Sequence, residues 1–238
     1  VTGANTGIGR VTAEKLAREG AEVVLACRTE AKAQPVVEAI RAAGGKAEFL
    51  ALDLSDLAQV KSAAEAFIAS GRPLHVLVNN AGLAGQRGET KQGFELAFGV
   101  NHLGHFLFTQ LLLDTLKANA PSRIVNVASK AHYKAKALDL GEVQQTTKTV
   151  TGFPEYCVSK LANVLFSSEL SRRLEGSGVT VHSLHPGVVA SDVWRRVPGP
   201  ARWLMKRFMI TVEEGAKTTL HCAMAPELSG ESGRYYDK

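Results

Sequence analysis

A single α/β domain, a doubly wound parallel sheet with helices on both faces, is predicted by three features of this chain. Short, β-branched apolar runs alternate with amphipathic helical stretches along the whole sequence. The first such unit is joined by a glycine-rich turn. No linker, internal repeat or low-complexity tract interrupts the alternation, and 238 residues suit one large core with little room for a second.

The elements follow in order. Val1-Thr2-Gly3 reads as the end of a strand whose earlier residues lie upstream. Thr2-Gly3-Ala4-Asn5-Thr6-Gly7-Ile8-Gly9 then runs straight into Arg10 to Ala17, which has the spacing of a helix with one apolar face. Glycines there allow a tight turn and close approach to a pyrophosphate, and the helix start offers free N–H groups and partial positive charge. The spacing is G-x-x-x-G-x-G rather than the commoner G-x-G-x-x-G. Such turns also join strands to helices with no ligand at all. Glu22 to Cys27 is a short buried strand, completing a β-α-β unit of the length a Rossmann dinucleotide fold requires.

The residue after that strand separates two cofactors. An Asp or Glu there would suit the ribose hydroxyls of NAD. Here Arg28 follows Cys27, and a guanidinium fork suits the 2′-phosphate of NADP(H), with Lys32 one helical turn on. The alternative is a surface Arg28 paired with Glu30. Lys46 to Leu52 is a third strand ending at Asp53-Leu54-Ser55. Asp53 faces the cofactor crevice or, in competition with Ser55, caps the helix Leu57 to Ser70. His75 to Val78 leads into the turn Asn79-Asn80-Ala81-Gly82. A long helix is expected from Leu103 to Lys117, with Asn101 near its start inside an apolar pattern and therefore in need of a partner. His102 and His105 stand three apart, but no third metal ligand is evident, so packing is the expected role and no metal is assigned. Arg123 to Ser129 is the fifth strand, and Lys130 to Glu155 reads as a loop at the cleft edge.

Tyr156 and Lys160 lie four residues apart, on one face of a helix from Cys157 to Leu174. An ammonium near a phenol favours the phenolate and makes a tunable acid/base. By itself Tyr-x-x-x-Lys is also an ordinary solvated helix face. Later come Pro186-Gly187, then a lid from about 188 to 212 in which aromatic residues interleave with basic ones. A helix near Glu213 to Ala225 and a strand around Gly233 to Tyr236 close the chain.

Composition narrows the function. Hydrophobic residues make up 45% and charged residues 21%, as in ordinary soluble enzymes. The net charge of +5 is scattered over many helices, which argues against a nucleic-acid partner. Cys27, Cys157 and Cys222 are odd in number and far apart, and read as free buried thiols of a reducing compartment. No apolar run approaches the ~18 residues of a membrane span. A cytoplasmic location is expected, with any membrane anchor lying outside these residues.

The chain resembles the short-chain dehydrogenase/reductases over essentially its whole length. The resemblance is carried by Thr2-Gly3 to Gly9, Asp53-Leu54, Asn79 to Gly82, Asn101, Ser129, Tyr156 with Lys160, and Pro186-Gly187. Within that family it looks most like the retinol dehydrogenase group, on Leu25 to Arg28, Phe98 to Phe106, Tyr156 to Phe166 and Leu184 to Val188.

The resemblance implies an oxidoreductase that moves hydride between NADP(H) and a lipophilic carbonyl or alcohol. Tyr156 would be the general acid/base, with its pKa lowered by Lys160, which also binds the nicotinamide ribose. Ser129 would hold the substrate oxygen. Asn101 would bend its helix and hold a relay water. Gly3, Asn5, Thr6, Gly7, Ile8, Gly9, Arg28, Asp53, Leu54, Asn80, Ala81, Gly82, Pro186, Gly187, Val189 and Ser191 would complete the cofactor site. Ser191 stands near the place where the family commonly has a threonine. Trp194 would touch the substrate, and the basic lid rim would touch lipid peripherally. A C=C reductase on the same scaffold and a non-catalytic NADP(H)-binding regulator are the competing readings. Helices with apolar residues around much of their circumference predict a homodimer or homotetramer.

Overall fold

The computed structural model describes residues 1–189 and 209–237. In chain order it contains α1 (Gly7–Arg18), β1 (Glu22–Cys27), α2 (Glu30–Ala42), β2 (Lys46–Ala51), α3 (Leu57–Ala69) and β3 (Val76–Asn79). There follow α4 (Leu96–Phe98), a π-helical turn (Gly99–Leu103), α5 (Gly104–Leu111), α6 (Leu113–Ala118) and β4 (Ser122–Val127). The last elements are α7 (Phe153–Arg173), β5 (Val179–His185), α8 (Val212–Met224) and β6 (Tyr235–Asp237).

Every named strand pair is parallel. β1 pairs with β2, and β3, β4, β5 and β6 pair in that order. Residues 1–3 run between the two groups and stitch them together. Ala26 N–H donates to the Val1 carbonyl at 3.0 Å, and Thr2 N–H donates to the Val78 carbonyl at 3.0 Å. The expected strand end at Val1-Thr2-Gly3 is present as this bridge.

Both faces of the sheet are covered, which explains why strands such as β1 and β3 carry consecutive apolar residues rather than a strict alternation. On one face α1, α2 and α8 bring Leu16, Val37, Ile40 and Cys222 against Leu25, Val78, Val125 and Leu184. On the other, α3, α5 and α7 bring Val60, Phe67, Phe108 and Leu170 against Leu77, Ile124 and Val181. All three cysteines are buried and free, as expected.

Three local expectations are corrected. The cap of α3 is neither Asp53 nor Ser55. Asp56 accepts the Ala58 N–H at 3.1 Å and is held by Lys91 at 2.6 Å, while Asp53 is turned inward to accept from Ser55 N–H and Oγ–H. The helix expected from Leu103 to Lys117 is broken into a π-helical turn, α5 and α6. Lys130 to Glu155 is not all loop. It contains 3₁₀ turns at Lys130–Lys134 and Glu142–Gln144, and α7 already begins at Phe153.

Among the described residues, no helix is long and apolar enough to cross a membrane. Val188 and Ile210 meet across the base of the expected lid, where Ile210 N–H donates to the Val188 carbonyl at 3.0 Å. The expectations for Ser191 and Trp194 lie outside the described residues.

Candidate active site

The carboxyl ends of β1 to β5 open into one cavity of about 580 Å³. Its wall includes Gly3, Asn5, Thr6, Gly7, Ile8, Gly9, Arg28, Asp53, Leu54, Asn80, Ala81, Gly82, Pro186, Gly187 and Val189, together with Ser129, Tyr156 and Lys160. Of the described residues assigned from sequence, Asn101 alone stays off the wall; it is fully buried behind it.

The glycine turn shapes one end. Gly3 adopts φ 64°, a left-handed conformation that favours glycine. A Cβ on Gly9 would run into the Asn80 amide and sit 2.6 Å from the Gly3 carbonyl oxygen. The start of α1 carries no side-chain cap, so its first turn presents backbone donors without a competing hydroxyl. A phosphate-bearing dinucleotide fits this cradle, which any larger side chain would fill. At the outer edge Arg28 is exposed and lies on the wall with Lys32. Among the described residues no carboxylate pairs with Arg28, so the expected alternative of a bridge to Glu30 is absent.

The other end holds the acid/base set. Tyr156 and Lys160 occupy one face of α7, and the Lys160 ammonium lies 5.7 Å from the Tyr156 ring centroid. Burial pushes the Tyr156 phenol up, and a hydrogen bond with Ser129 opposes the rise. This corrects the expectation that Lys160 sets the phenol low. Lys160 is itself buried and pushed down to about 8 by desolvation, and its ammonium donates to the Val127 carbonyl at 2.8 Å. Ser129 lies two residues past β4, at the start of the first 3₁₀ turn, where its oxygen accepts the Ala131 N–H at 3.2 Å.

Asn101 occupies the centre of the π-helical turn. Its side chain accepts from Leu83 N–H at 2.8 Å and donates to the Leu83 carbonyl at 3.0 Å and to Ser159 Oγ at 2.9 Å. Its own carbonyl meets Asn163 Nδ2 at 3.1 Å and His105 Nδ1 at 3.0 Å.

Sequence reasoning missed several members of the wall, among them Gln86, Phe153, Lys134 and His185. Gln86 and Lys134 lie in irregular segments where no periodicity marks a face. Phe153 was assigned to a loop because the left-handed Gly152 that starts α7 was not read as a helix boundary. It also missed Thr2, whose hydroxyl accepts N–H from Asn80 and Ala81, both at 2.9 Å, and contacts His105 Nε2 at 2.8 Å. Among the described residues no group of His, Cys, Asp and Glu forms a metal site.

A glycine cradle for a dinucleotide, joined to a Tyr–Lys pair and a serine, defines a dinucleotide-dependent oxidoreductase. The family described as short chain dehydrogenase matches residues 1–140. Human retinol dehydrogenase 11 is 47% identical over 99% of this chain and 75% of its own length, and human retinol dehydrogenase 12 is 46% identical over 99% and 76%. A putative NAD(P) dependent gluconate 5-dehydrogenase from Beutenbergia cavernae, solved with bound NADP at low occupancy, superposes with TM-score 0.80. It is 27% identical, with coverage of 100% of this chain and 92% of its own. The chain belongs to the short-chain dehydrogenase family, within its retinol dehydrogenase group. It is an oxidoreductase of the kind that uses a nicotinamide cofactor.

The helix histidines carry a prediction about stability. Burial pushes His105 down to about 3 and His102 down to about 4. Both folded values lie below the unfolded ~6.5, so the unfolded chain binds more protons between. Unfolding free energy should therefore be flat above pH ~6.5 and fall as pH drops towards ~5, at up to ~1.4 kcal/mol per unit for each histidine. Urea unfolding across that range measures the slope, and His105→Asn should reduce it. No slope in the unmodified protein would show that these histidines are protonated in the fold.

Proposed function

We propose that the protein transfers hydride between NADP(H) and a lipophilic aldehyde, ketone or alcohol of the retinal/retinol type. The observation that carries this is the convergence of Ser129, Tyr156 and Lys160 on the wall of one cavity that Leu83, Leu96, Val100, Phe153 and Val188 also line. The names of the human relatives point to the same substrate class.

When bound, the nicotinamide supplies the hydride for reduction and accepts it in oxidation. Tyr156 gives its proton to the carbonyl oxygen, so the carbonyl gains one hydride and one proton and becomes an alcohol. Ser129 donates to the same oxygen as charge develops there. Lys160, held on the Val127 carbonyl and on the cavity wall, would bind the nicotinamide ribose. Asn101 fixes the Leu83 backbone on the wall.

Tyr156→Phe should abolish turnover, by at least ~100-fold as expected for loss of a general acid, while NADPH affinity changes little. Steady-state kinetics with cofactor titration measures both, and near-normal turnover would remove Tyr156 from the mechanism.

The cofactor preference rests on Arg28. A guanidinium facing a 2′-phosphate is worth about 1.5–3 kcal/mol, a preference of roughly ten- to a hundredfold for NADPH over NADH. Arg28→Ala should lose NADPH affinity and leave NADH almost untouched, whereas Cys27→Asp should improve NADH and repel NADPH. The comparison is kcat/KM for both cofactors at fixed salt. Equal values in the unmodified enzyme would overturn the NADP(H) assignment.

The same reading includes self-association. Phe106 is 39% and Leu165 49% exposed, and the Phe106 and Phe166 rings lie 5.2 Å apart on the outer side of α5 and α7. An apolar face of this kind suits a second copy of the chain in a dimer or tetramer. Light scattering at high micromolar concentration should report an oligomer, and a monomer there would exclude it.

A further inference from the structure

Two polar side chains at the acid/base end of the cavity take no part in the proposed hydride transfer. Gln86 lines the cavity, is 9% exposed and makes no side-chain hydrogen bond among the described residues. The amide therefore keeps its full hydrogen-bonding capacity for a ligand in the cavity. Lys134 lines the cavity too. Its ammonium stands 5.6 Å from the Phe153 ring centroid, and no carboxylate among the described residues pairs with it. The other cations on the wall are placed differently. Lys130 is paired with Asp237 at 2.8 Å, Lys160 donates to Val127, and Arg28 and Lys32 stand beside β1 at the opposite end.

Gln86 and Lys134 line the same cavity and are linked through the Gly152–Phe153 step. The Gln86 carbonyl oxygen lies against Gly152, where an added Cβ would be 2.8 Å from it, and the next residue is the Phe153 that the Lys134 ammonium covers. Phe153 in turn stacks on Tyr156 at 6.1 Å between centroids. Taken in series, the two separations put the ammonium within about 12 Å of the Tyr156 ring. Between that step and the phenol the wall is aromatic and aliphatic. A purely apolar ligand filling this space would take water from the Gln86 amide and give it no partner.

We propose that Gln86 and Lys134 form an anion subsite, and that the substrate is an amphiphile with a carboxylate at the far end of its lipophilic chain. In the reductive direction this is an ω-oxo fatty acid. Its carboxylate accepts from the Lys134 ammonium and the Gln86 amide, its chain covers Phe153, and its aldehyde reaches Ser129 and Tyr156. The aldehyde carbon takes the hydride, its oxygen takes the Tyr156 proton, and the carboxylate is unchanged. The inference rests on the carbonyl-reductase reading above and narrows its substrate class.

The test compares kcat/KM for a medium-chain ω-oxo acid and its methyl ester, using the NADPH-loaded enzyme. The acid should be preferred by roughly five- to tenfold, the range between a solvent-exposed ion pair and a charge-assisted hydrogen bond. Lys134→Gln should bring the acid-to-ester ratio close to one, Lys134→Glu should invert it, and Gln86→Leu should lower it. The side chain of Lys134 is exposed and that of Gln86 makes no bond, so these variants should fold. Turnover of the ester with no preference for the acid would overturn the anion subsite and leave the carbonyl-reductase reading standing. Turnover of neither would count against that reading. The subsite is then decided by calorimetry with the corresponding saturated fatty acid and the NADP-loaded protein. Binding weakened roughly fivefold or more in Lys134→Gln supports it, and equal binding, or none to the unmodified protein, overturns it.

Discussion

The hydroxyl of Thr2 is the knot on which the cavity depends. It accepts two backbone N–H groups, from Asn80 and Ala81, so its own proton goes to His105 Nε2. That leaves the His105 proton on Nδ1, where it donates to the Asn101 carbonyl. One short chain of hydrogen bonds thus ties the glycine turn, the end of β3 and the π-helical turn. Thr2, Asn101 and His105 are buried, and burial holds His105 neutral with its single proton in that tautomer. A second network runs beside it. Asn79 donates to Thr109 and Asn126, and Asn126 donates to Ser167, which locks α5 and α7 to the sheet. These networks fix the elements behind the cavity wall.

Burial also sets the acid/base chemistry. Desolvation disfavours the charged form of each group, so the phenol moves up and the ammonium moves down to about 8. At neutral pH this keeps the proton on Tyr156, the form that a carbonyl reduction consumes under the proposed reaction. Hydrogen bonding to Ser129 works in the other direction and opposes the rise. Lys160, with a single carbonyl partner, retains two N–H donors beside the cavity.

How much of this was legible in the residues varies along the chain. The glycine turn and Tyr156 with Lys160 announce themselves because each function is built from near neighbours in sequence. So do the strands, whose unbroken apolar runs fit a sheet covered on both faces. Apolar spacing predicts one continuous helix from Leu103 to Lys117, yet the fold has a π-helical turn at its start, where Asn101 binds Leu83, and a break between α5 and α6. Nothing in the local pattern encodes a partner eighteen positions away. Residues 130 to 155 were read as loop because 3₁₀ turns are too short to show a period.

The sequence by itself determined the alternating order of strands and helices, the cofactor half of the cavity, and which helix carries the phenol. These follow from periodicity, turn chemistry and spacings of a few residues, all of which are local. Only the tertiary structure decided that Thr2, Asn80 and His105 share one hydroxyl, and that the Lys134 ammonium stands over the ring of Phe153. It also decided that the phenol titrates upward rather than downward. Those outcomes depend on what packs around each group, and desolvation is a property of the surrounding fold that no short stretch of residues contains.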